Sequence, residues 1–409
     1  MTTGPRPALL LYCQHSLGLG HLVRSLTLAE AMADRFEVVI ANGGRLPEGT
    51  RVPAGVRVVN LPPLGHDASY ELVSHDPTRT VAQAQSDRVA ILLGLLDELD
   101  PAVLMVELWP FGRKKFEFEL LPLLEAALAR GPRRPVVVCS LRDILVHGRV
   151  DQTRHDERAS LRANAYVDAV LVHSDPAFAR LDESFAPTTP LLPPVHHTGF
   201  VAPPQPAVDG SEVPDLTPRL LVSAGGGMVG DPLFRAAVAA HRHVHATTGL
   251  STTIVAGPFL PEDSWSWLQE EARRSDQLDV CRRVPDLAAE MRRSAVSLSQ
   301  GGYNTTMDLL RARTPAVVVP YDDGKEDEQV RRTSRLADLG ALTMLLTAHV
   351  GTESLVRAVQ TAVSAPPAQL RLDLDGAASS ARIVAWLAAA RDMTDTASAS
   401  LPIALEVLA

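Results

Sequence analysis

The chain has 409 residues, more than one ordinary hydrophobic core serves, so two domains are expected. A formal net charge of -9 disfavours a polyanion as the main partner, and an aromatic content of 4% argues against a stacking platform for nucleic acid. Three dispersed cysteines (Cys13, Cys139, Cys281) form no CxxC pair, which excludes a disulfide framework and a thiolate zinc site and fits a reducing cytoplasm.

No stretch reaches the roughly 20 apolar residues of a membrane span, and the first residues lack a secretory pattern. A soluble, cytoplasmic protein is expected, with peripheral membrane contact and oligomeric state left open.

Short apolar runs alternate with longer amphipathic segments. Strands are expected at Leu9–Cys13, Glu37–Ile40, Val56–Asn60, Val103–Val106, Val136–Ser140 and Ala169–Val172. Helical patterns fall at His21–Ala33, Val81–Leu99, Phe118–Ala129 and Glu157–Ala165. This alternation indicates an α/β domain with a mainly parallel sheet. Ala186 to Gly210 carries seven prolines and no helical period, and reads as a linker or interdomain crossing.

Alternation then restarts. Strands are expected at Leu220–Ser223, Thr253–Ala256, Leu278–Cys281, Val296–Leu298, Ala316–Val319 and Ala341–Leu345. Helices are expected at Pro232–His245, Trp265–Arg273, Thr305–Ala312, Asp327–Asp338 and Thr352–Val363, with a last one over Ala377–Arg391. The chain thus divides into residues 1–200, 201–375 and a C-terminal helix and tail, 376–409, that could pack back across the interface. Two doubly wound domains in tandem place the default ligand site in the cleft between them.

Each half opens with a strand and a glycine loop. The first contains Gly18, Gly20 and His21, and the second is Gly225-Gly226-Gly227. Glycine lets backbone amides approach an anion, and the following helix points its positive end at it. Neither loop fits GxGxxG or GxxxxGK[ST], so each could equally be a plain strand-to-helix turn. A third segment, "SLSQGGYNTTMDLLRARTPAVVVPYDDGKEDEQ", says more. A strand ends at Ser299, Gly301-Gly302 turn, and Asn304 and Thr305 suit capping positions. Asp308 lies one turn further in, and Glu328-Gln329 open the next helix.

This segment and the first glycine loop resemble the GT-B glycosyltransferases, and within them glycosyltransferase family 28, which includes the N-acetylglucosaminyltransferase of peptidoglycan lipid II synthesis. The resemblance covers most of the chain and is strongest from Val284 to Gly340. "ELWPFGRKKFEFELLPLLE", "SLRDI" and "HHTGFV" are similar to a less characterised bacterial branch of predicted glycosyltransferases.

The resemblance implies two Rossmann-like domains facing across a cleft, with the nucleotide-sugar donor on the C-terminal domain and the acceptor on the N-terminal one. The donor expected is a UDP-sugar, with no other cofactor and no catalytic metal. In the family pattern, Gly225–Gly227 lie near the donor and Val284 takes the base edge. Gly301, Gly302, Tyr303, Asn304 and Thr305 bring helix amides to the diphosphate. Asp308 stands where an acid, usually Glu, grips the ribose. Glu328 and Gln329 reach the donor sugar. A diphosphate independently calls for backbone donors and a helix dipole, and a ribose diol for a carboxylate.

Inverting transfer needs a base for the acceptor hydroxyl and dipoles for the leaving nucleoside diphosphate. The resemblance carries the base onto His21, and His15, nearer the strand end, is its rival. A capping role is the plain alternative for either. Arg24 could meet a donor phosphate or an acceptor carboxylate, Glu107 could orient His21 or contact the acceptor, and Arg142 could contact the acceptor or pair with an acid; each also has a plain structural alternative. "PFGRKKFEFE" could recognise an anionic or amphipathic acceptor, touch a membrane surface, or simply be solvated. His241, His243 and His245 read as a solvated helix end rather than a metal site. A small molecule, a lipid-linked saccharide and a natural product all stay open as acceptor. So do two other classes, a nucleotide-sugar epimerase or hydrolase and a non-catalytic nucleotide-sugar-binding protein.

Overall fold

Unbroken apolar runs make strands that are covered on both faces. β1 (Ala8–Cys13) is such a run and heads a seven-stranded sheet in the computed structural model, which describes residues 6–15, 20–67, 71–147, 149–203, 217–322, 327–365 and 371–399. The chain continues through β2 (Glu37–Asn42), β3 (Val56–Asn60), a hairpin of β4 (Leu64–His66) with β5 (Leu72–Ser74), β6 (Val103–Glu107), β7 (Val136–Arg142), β8 (Ala169–His173) and β9 (Val195–His197). The helices of this half are α1 (Gly20–Met32), α2 (Val81–Leu99), α3 (Glu117–Leu128) and α4 (Gln152–Tyr166).

A second sheet contains β10 (Thr217–Ser223), β11 (Ser251–Val255), β12 (Leu278–Cys281), β13 (Ser294–Ser299), β14 (Ala316–Val318) and β15 (Thr343–Met344). It is flanked by α5 (Asp231–Thr248), α6 (Glu262–Arg273), α7 (Leu287–Arg293), α8 (Tyr303–Ala312), α9 (Glu328–Asp338) and α10 (Thr352–Ser364); α11 (Gly376–Ala399) follows.

Both sheets are parallel throughout. The first runs β3-β2-β1-β6-β7-β8-β9 and the second β12-β11-β10-β13-β14-β15. Strand order reverses between β1 and β6 and again between β10 and β13. Outside the carboxyl ends at those two points lie the natural crevices of such sheets. The fold class is as the alternation of the sequence indicates.

Three elements depart from expectation. The β4–β5 hairpin and α7 were not anticipated. The Pro-rich stretch, expected as a linker or interdomain crossing, also carries β9, an edge strand of the first sheet. Pro193 and Pro194 precede that strand, and an edge tolerates the missing donors.

α11 returns to the first half. Its Ala381, Val384 and Ala388 are buried with Leu22, Leu26 and Ala29 of α1 over the face of β1, β6 and β7. The two chain crossings run side by side: Phe200 N donates to Asp373 O at 2.7 Å, and Gly376 N to Phe200 O at 3.0 Å. Here Gly199 takes φ 81°, and a Cβ on Gly376 would lie 2.2 Å from Gly199 O, so no larger residue fits.

The halves are joined through a buried seam. Arg332 of α9 donates twice to Asp143, at 2.6 and 2.7 Å, and both side chains are fully buried. The Tyr303 hydroxyl donates to His173 O at 3.0 Å and accepts from Val201 N at 2.9 Å. The guanidiniums of Arg24 and Arg332 lie 5.4 and 5.6 Å from its ring centroid, within cation–π range. Among the described residues, no helix is long and apolar enough to cross a membrane.

Candidate active site

On the N-terminal side, α1 starts at Gly20, so His21 stands in its first turn. Glu107 ends β6, the strand beside β1 at the switch point. The two elements bring His21 Nδ1 to 2.6 Å from Glu107 Oε1. The carboxylate can only accept, so Nδ1 carries the hydrogen and Nε2 keeps its lone pair. Glu107 is 2% exposed, whereas the His21 side chain is 19% exposed. The acid is therefore sealed behind the ring.

Arg24, one turn after His21, also binds Glu107 Oε1. Arg113 Nη2 approaches Oε2 at 3.7 Å. Burial opposes ionisation of Glu107, but the hydrogen bond from His21 and the guanidiniums of Arg24 and Arg113 hold its carboxyl well below the usual carboxylate range. Burial lowers His21 well below the ordinary histidine value; Glu107 opposes this and Arg113 adds to it. The ring is neutral near pH 7, as a proton acceptor must be.

His15 has a different setting. Its Nε2 lies 3.1 Å from Asn42 Oδ1, and the side chain is buried. A Cβ on Gly44 would lie 2.6 Å from its ring, so the backbone packs directly on the imidazole. Burial pushes its pKa down to about 4. Gly18 lies outside the described residues.

On the C-terminal side, backbone dominates. Gly225 and Gly227 take φ 54° and 88°, and a Cβ on Gly227 would lie 2.2 Å from Ala256 O. The turn after β10 therefore requires glycine, and Gly226 is held between them. A Cβ on Gly301 would meet Thr333 Oγ1 at 2.4 Å, whereas one on Gly302 would meet nothing within 4 Å. Gly302 is the N-cap of α8 and brings no side-chain cap, so the first amides of that helix lack side-chain partners. Capping by Asn304 or Thr305 is thus corrected. Asn304 Nδ2 instead donates across the cleft to Gly20 O at 3.1 Å, and Thr305 is buried. The positive ends of α1 and α8 consequently face each other.

Asp308 is half-buried, with no hydrogen bond or ion pair among the described residues. Burial, reinforced by Asp286, raises its pKa to about 7. Val284, after β12, packs at the edge of the cluster containing Met291 and Leu309.

Several expected site residues are occupied elsewhere. Glu328 Oε1 accepts from Arg142 at 2.7 Å in a buried interdomain pair. That pair joins the two halves of the chain. Gln329 Oε1 accepts from Tyr321 N at 3.0 Å and holds the preceding loop. The Tyr303 side chain is committed to the seam. His241 is buried, with Nε2 2.9 Å from Ser275 Oγ, and is not a solvated helix end. No group of three or more metal-ligating side chains occurs among the described residues.

One residue in the middle of the site was marked in the sequence only as part of a stretch, without being singled out. Arg113 sits inside "PFGRKKFEFE", where a run of charges hides which of them turns inward. The signal was the apolar residues around it: Trp109, Phe111 and Phe116 are all buried.

Residues 224–382 match the glycosyltransferase family 28 C-terminal domain. The match spans the second sheet from the turn after β10 onward. No curated protein matches the chain. Solved structures extend the likeness over both halves. The calicheamicin glycosyltransferase CalG4 aligns with TM-score 0.54 at 16% identity, over 97% of this chain and 99% of that one. Glycosyltransferase VinC, in complex with dTDP, gives TM-score 0.56 at 16% identity over 95% and 100%. MurG of Acinetobacter baumannii gives 0.53 at 15% over 95% and 100%. At such identity these neighbours speak for the fold, which is GT-B, and the matched domain speaks for the activity. The protein is a glycosyltransferase of the GT-B fold, and the two facing switch points are the walls of its cleft.

Proposed function

We propose that this glycosyltransferase is an inverting enzyme that moves a sugar from a nucleoside diphosphate, with UDP as the expected nucleotide, to an acceptor hydroxyl held on the N-terminal wall. The observation that carries the reading is the His21–Glu107 pair, 2.6 Å apart at the first switch point and opposite the uncapped start of α8.

In the step proposed, His21 Nε2 takes the acceptor proton as the oxygen attacks the anomeric carbon. The bond from that carbon to the donor phosphate oxygen breaks on the opposite face. Glu107 keeps the tautomer and stabilises the imidazolium that forms, which offsets the burial that otherwise disfavours it. The amides of α8 and the turn at Gly225–Gly227 receive the negative charge of the departing diphosphate, where helix dipoles are most effective. Asp308, lacking a partner, would accept the ribose hydroxyls, and Val284 would border the base. His15, packed under Gly44 and bonded to Asn42, is assigned to structure.

The test is turnover of UDP-glucose and dTDP-glucose against an acceptor panel, with donor binding measured in parallel by calorimetry. His21→Ala should lose transfer and keep donor affinity. Equal loss of both would remove His21 as the base. Donor consumption without any acceptor would favour a hydrolase, and tight donor binding without turnover a sensor.

A further inference from the structure

The N-terminal wall holds more positive charge than its own carboxylate balances. Arg24 and Arg113 both turn toward the buried Glu107, the one carboxylate they share among the described residues. The neighbouring Cys13 thiol stays neutral, because burial pushes it up to about 12. With His21 neutral, two guanidiniums face one anion. Arg24 closes on that anion, but Arg113 does not: its Nη2 stops 3.7 Å from Glu107 Oε2, beyond hydrogen-bond range.

Arg113 Nε and Nη2 are shielded from solvent and find no hydrogen-bond partner among the described residues. A guanidinium is charged at any working pH, so burial cannot neutralise it. Its fork matches a carboxylate or phosphate in two parallel hydrogen bonds.

The loop that presents it is fixed. Leu108 and Arg113 both take left-handed backbone, with φ 67° and 60°, although neither is glycine. Such angles persist where packing over-determines them. Here Trp109 packs edge-on to Tyr166, with centroids 5.9 Å apart, and Phe111 to Phe185 at 4.8 Å. Outside the pocket the charges are mixed. Lys115 and Arg113 both lower the titration of His66 in β4, behind burial itself, and Asp67 and Glu71 oppose them. The unpaired nitrogens of Arg113 are shielded from solvent on the Glu107 side.

We infer that Arg113 is a specificity-determining residue that selects an acceptor bearing a carboxylate or phosphate near the hydroxyl to be glycosylated. The inference rests on the transferase reading and names the acceptor class for the same site. An anion bridged to Arg113 would sit next to Glu107 and present its hydroxyl to His21 Nε2.

The test uses the full chain with UDP present and paired probes that differ in one anionic group: 4-hydroxybenzoate against 4-hydroxybenzyl alcohol, glucuronate against glucose, and glucose 6-phosphate against glucose. Calorimetric titration reads binding without turnover. At least one acid should bind about tenfold or more tighter than its neutral partner, a difference within reach of one charge-assisted contact. The carboxylate and phosphate pairs report which group is preferred. Arg113→Met should collapse that ratio toward one, and Arg113→Lys should restore part of it.

A wild-type ratio near one in every pair overturns the inference, as does a ratio that survives Arg113→Met. Weakened UDP binding in Arg113→Met with the acid preference intact would also overturn it, by assigning Arg113 to the donor. A chain that turns over no donor would instead sink the transferase reading, and the paired titrations would still decide the charge preference.

Discussion

The two walls of the cleft solve their tasks with different material. The wall at β1 and β6 works through side chains, with a histidine, a carboxylate and two arginines converging within a few ångströms. The wall at β10 and β13 works through backbone: glycines at positive φ, a helix start without a side-chain cap, and one carboxyl lacking a partner. A proton must be held by a titratable group at a defined atom, whereas a diphosphate is bound by any well-placed row of amides. On the function proposed above, the contrast assigns chemistry to one side and anion binding to the other.

The sharpest way to break that contrast is His21→Ala. Removing a general base costs roughly 10²–10⁴-fold in rate. The loss should appear in kcat, with donor affinity within about twofold by calorimetry on the order of RT. Next comes the seam that keeps the walls facing. Asp143→Ala leaves Arg332 charged and buried, and breaking such a pair costs about 3–5 kcal/mol. Chemical denaturation should read that loss, and Asp143→Ala with Arg332→Met should recover part of it.

On the backbone wall, Gly227→Ala should weaken donor binding and destabilise the chain by about 1–3 kcal/mol, because alanine must hold φ 88° against Ala256 O. Thermal melts with and without UDP separate the two effects. A smaller effect is expected at Asp308. Its carboxyl, raised to about 7, is protonated below that value, and only the carboxylate offers both oxygens to a diol. Donor affinity should therefore rise as pH increases through 7, and Asp308→Asn should flatten that dependence.

The smallest effect is expected in the acid limb of kcat/KM. Because His21 is lowered, its neutral form persists below pH 6.5, so the limb should fall beneath the ordinary histidine value. A limb centred at 6.5 would place the base elsewhere.

The alternation of apolar runs with amphipathic segments made the two domains legible before any coordinates. Parallel strands buried on both faces leave that signature wherever they occur. The backbone wall was legible in part, since the glycines of Gly225–Gly227 and Gly301-Gly302 mark the turns that follow β10 and β13. What escaped was pairing at long range. Nothing near Arg142 or Glu328 in sequence says that they meet 186 positions apart, or that Tyr303 is withdrawn into the seam. Periodicity reports which face of an element is covered, but not which charge on another domain lies opposite. His241 shows the same limit: three alternating histidines looked solvated, yet one turns inward to Ser275.

The return of α11 to the first sheet has a consequence for how the chain is made. Ala381, Val384 and Ala388 complete a layer whose other members lie between residues 9 and 201. A ribosome delivers those partners first and the covering helix nearly two hundred residues later. Until then the apolar face beside α1 is open to other chains or to a chaperone. The N-terminal lobe, although first to emerge, should be the last to finish. Pulse-labelled hydrogen exchange should show α1 gaining protection together with α11 and after β10 and β13.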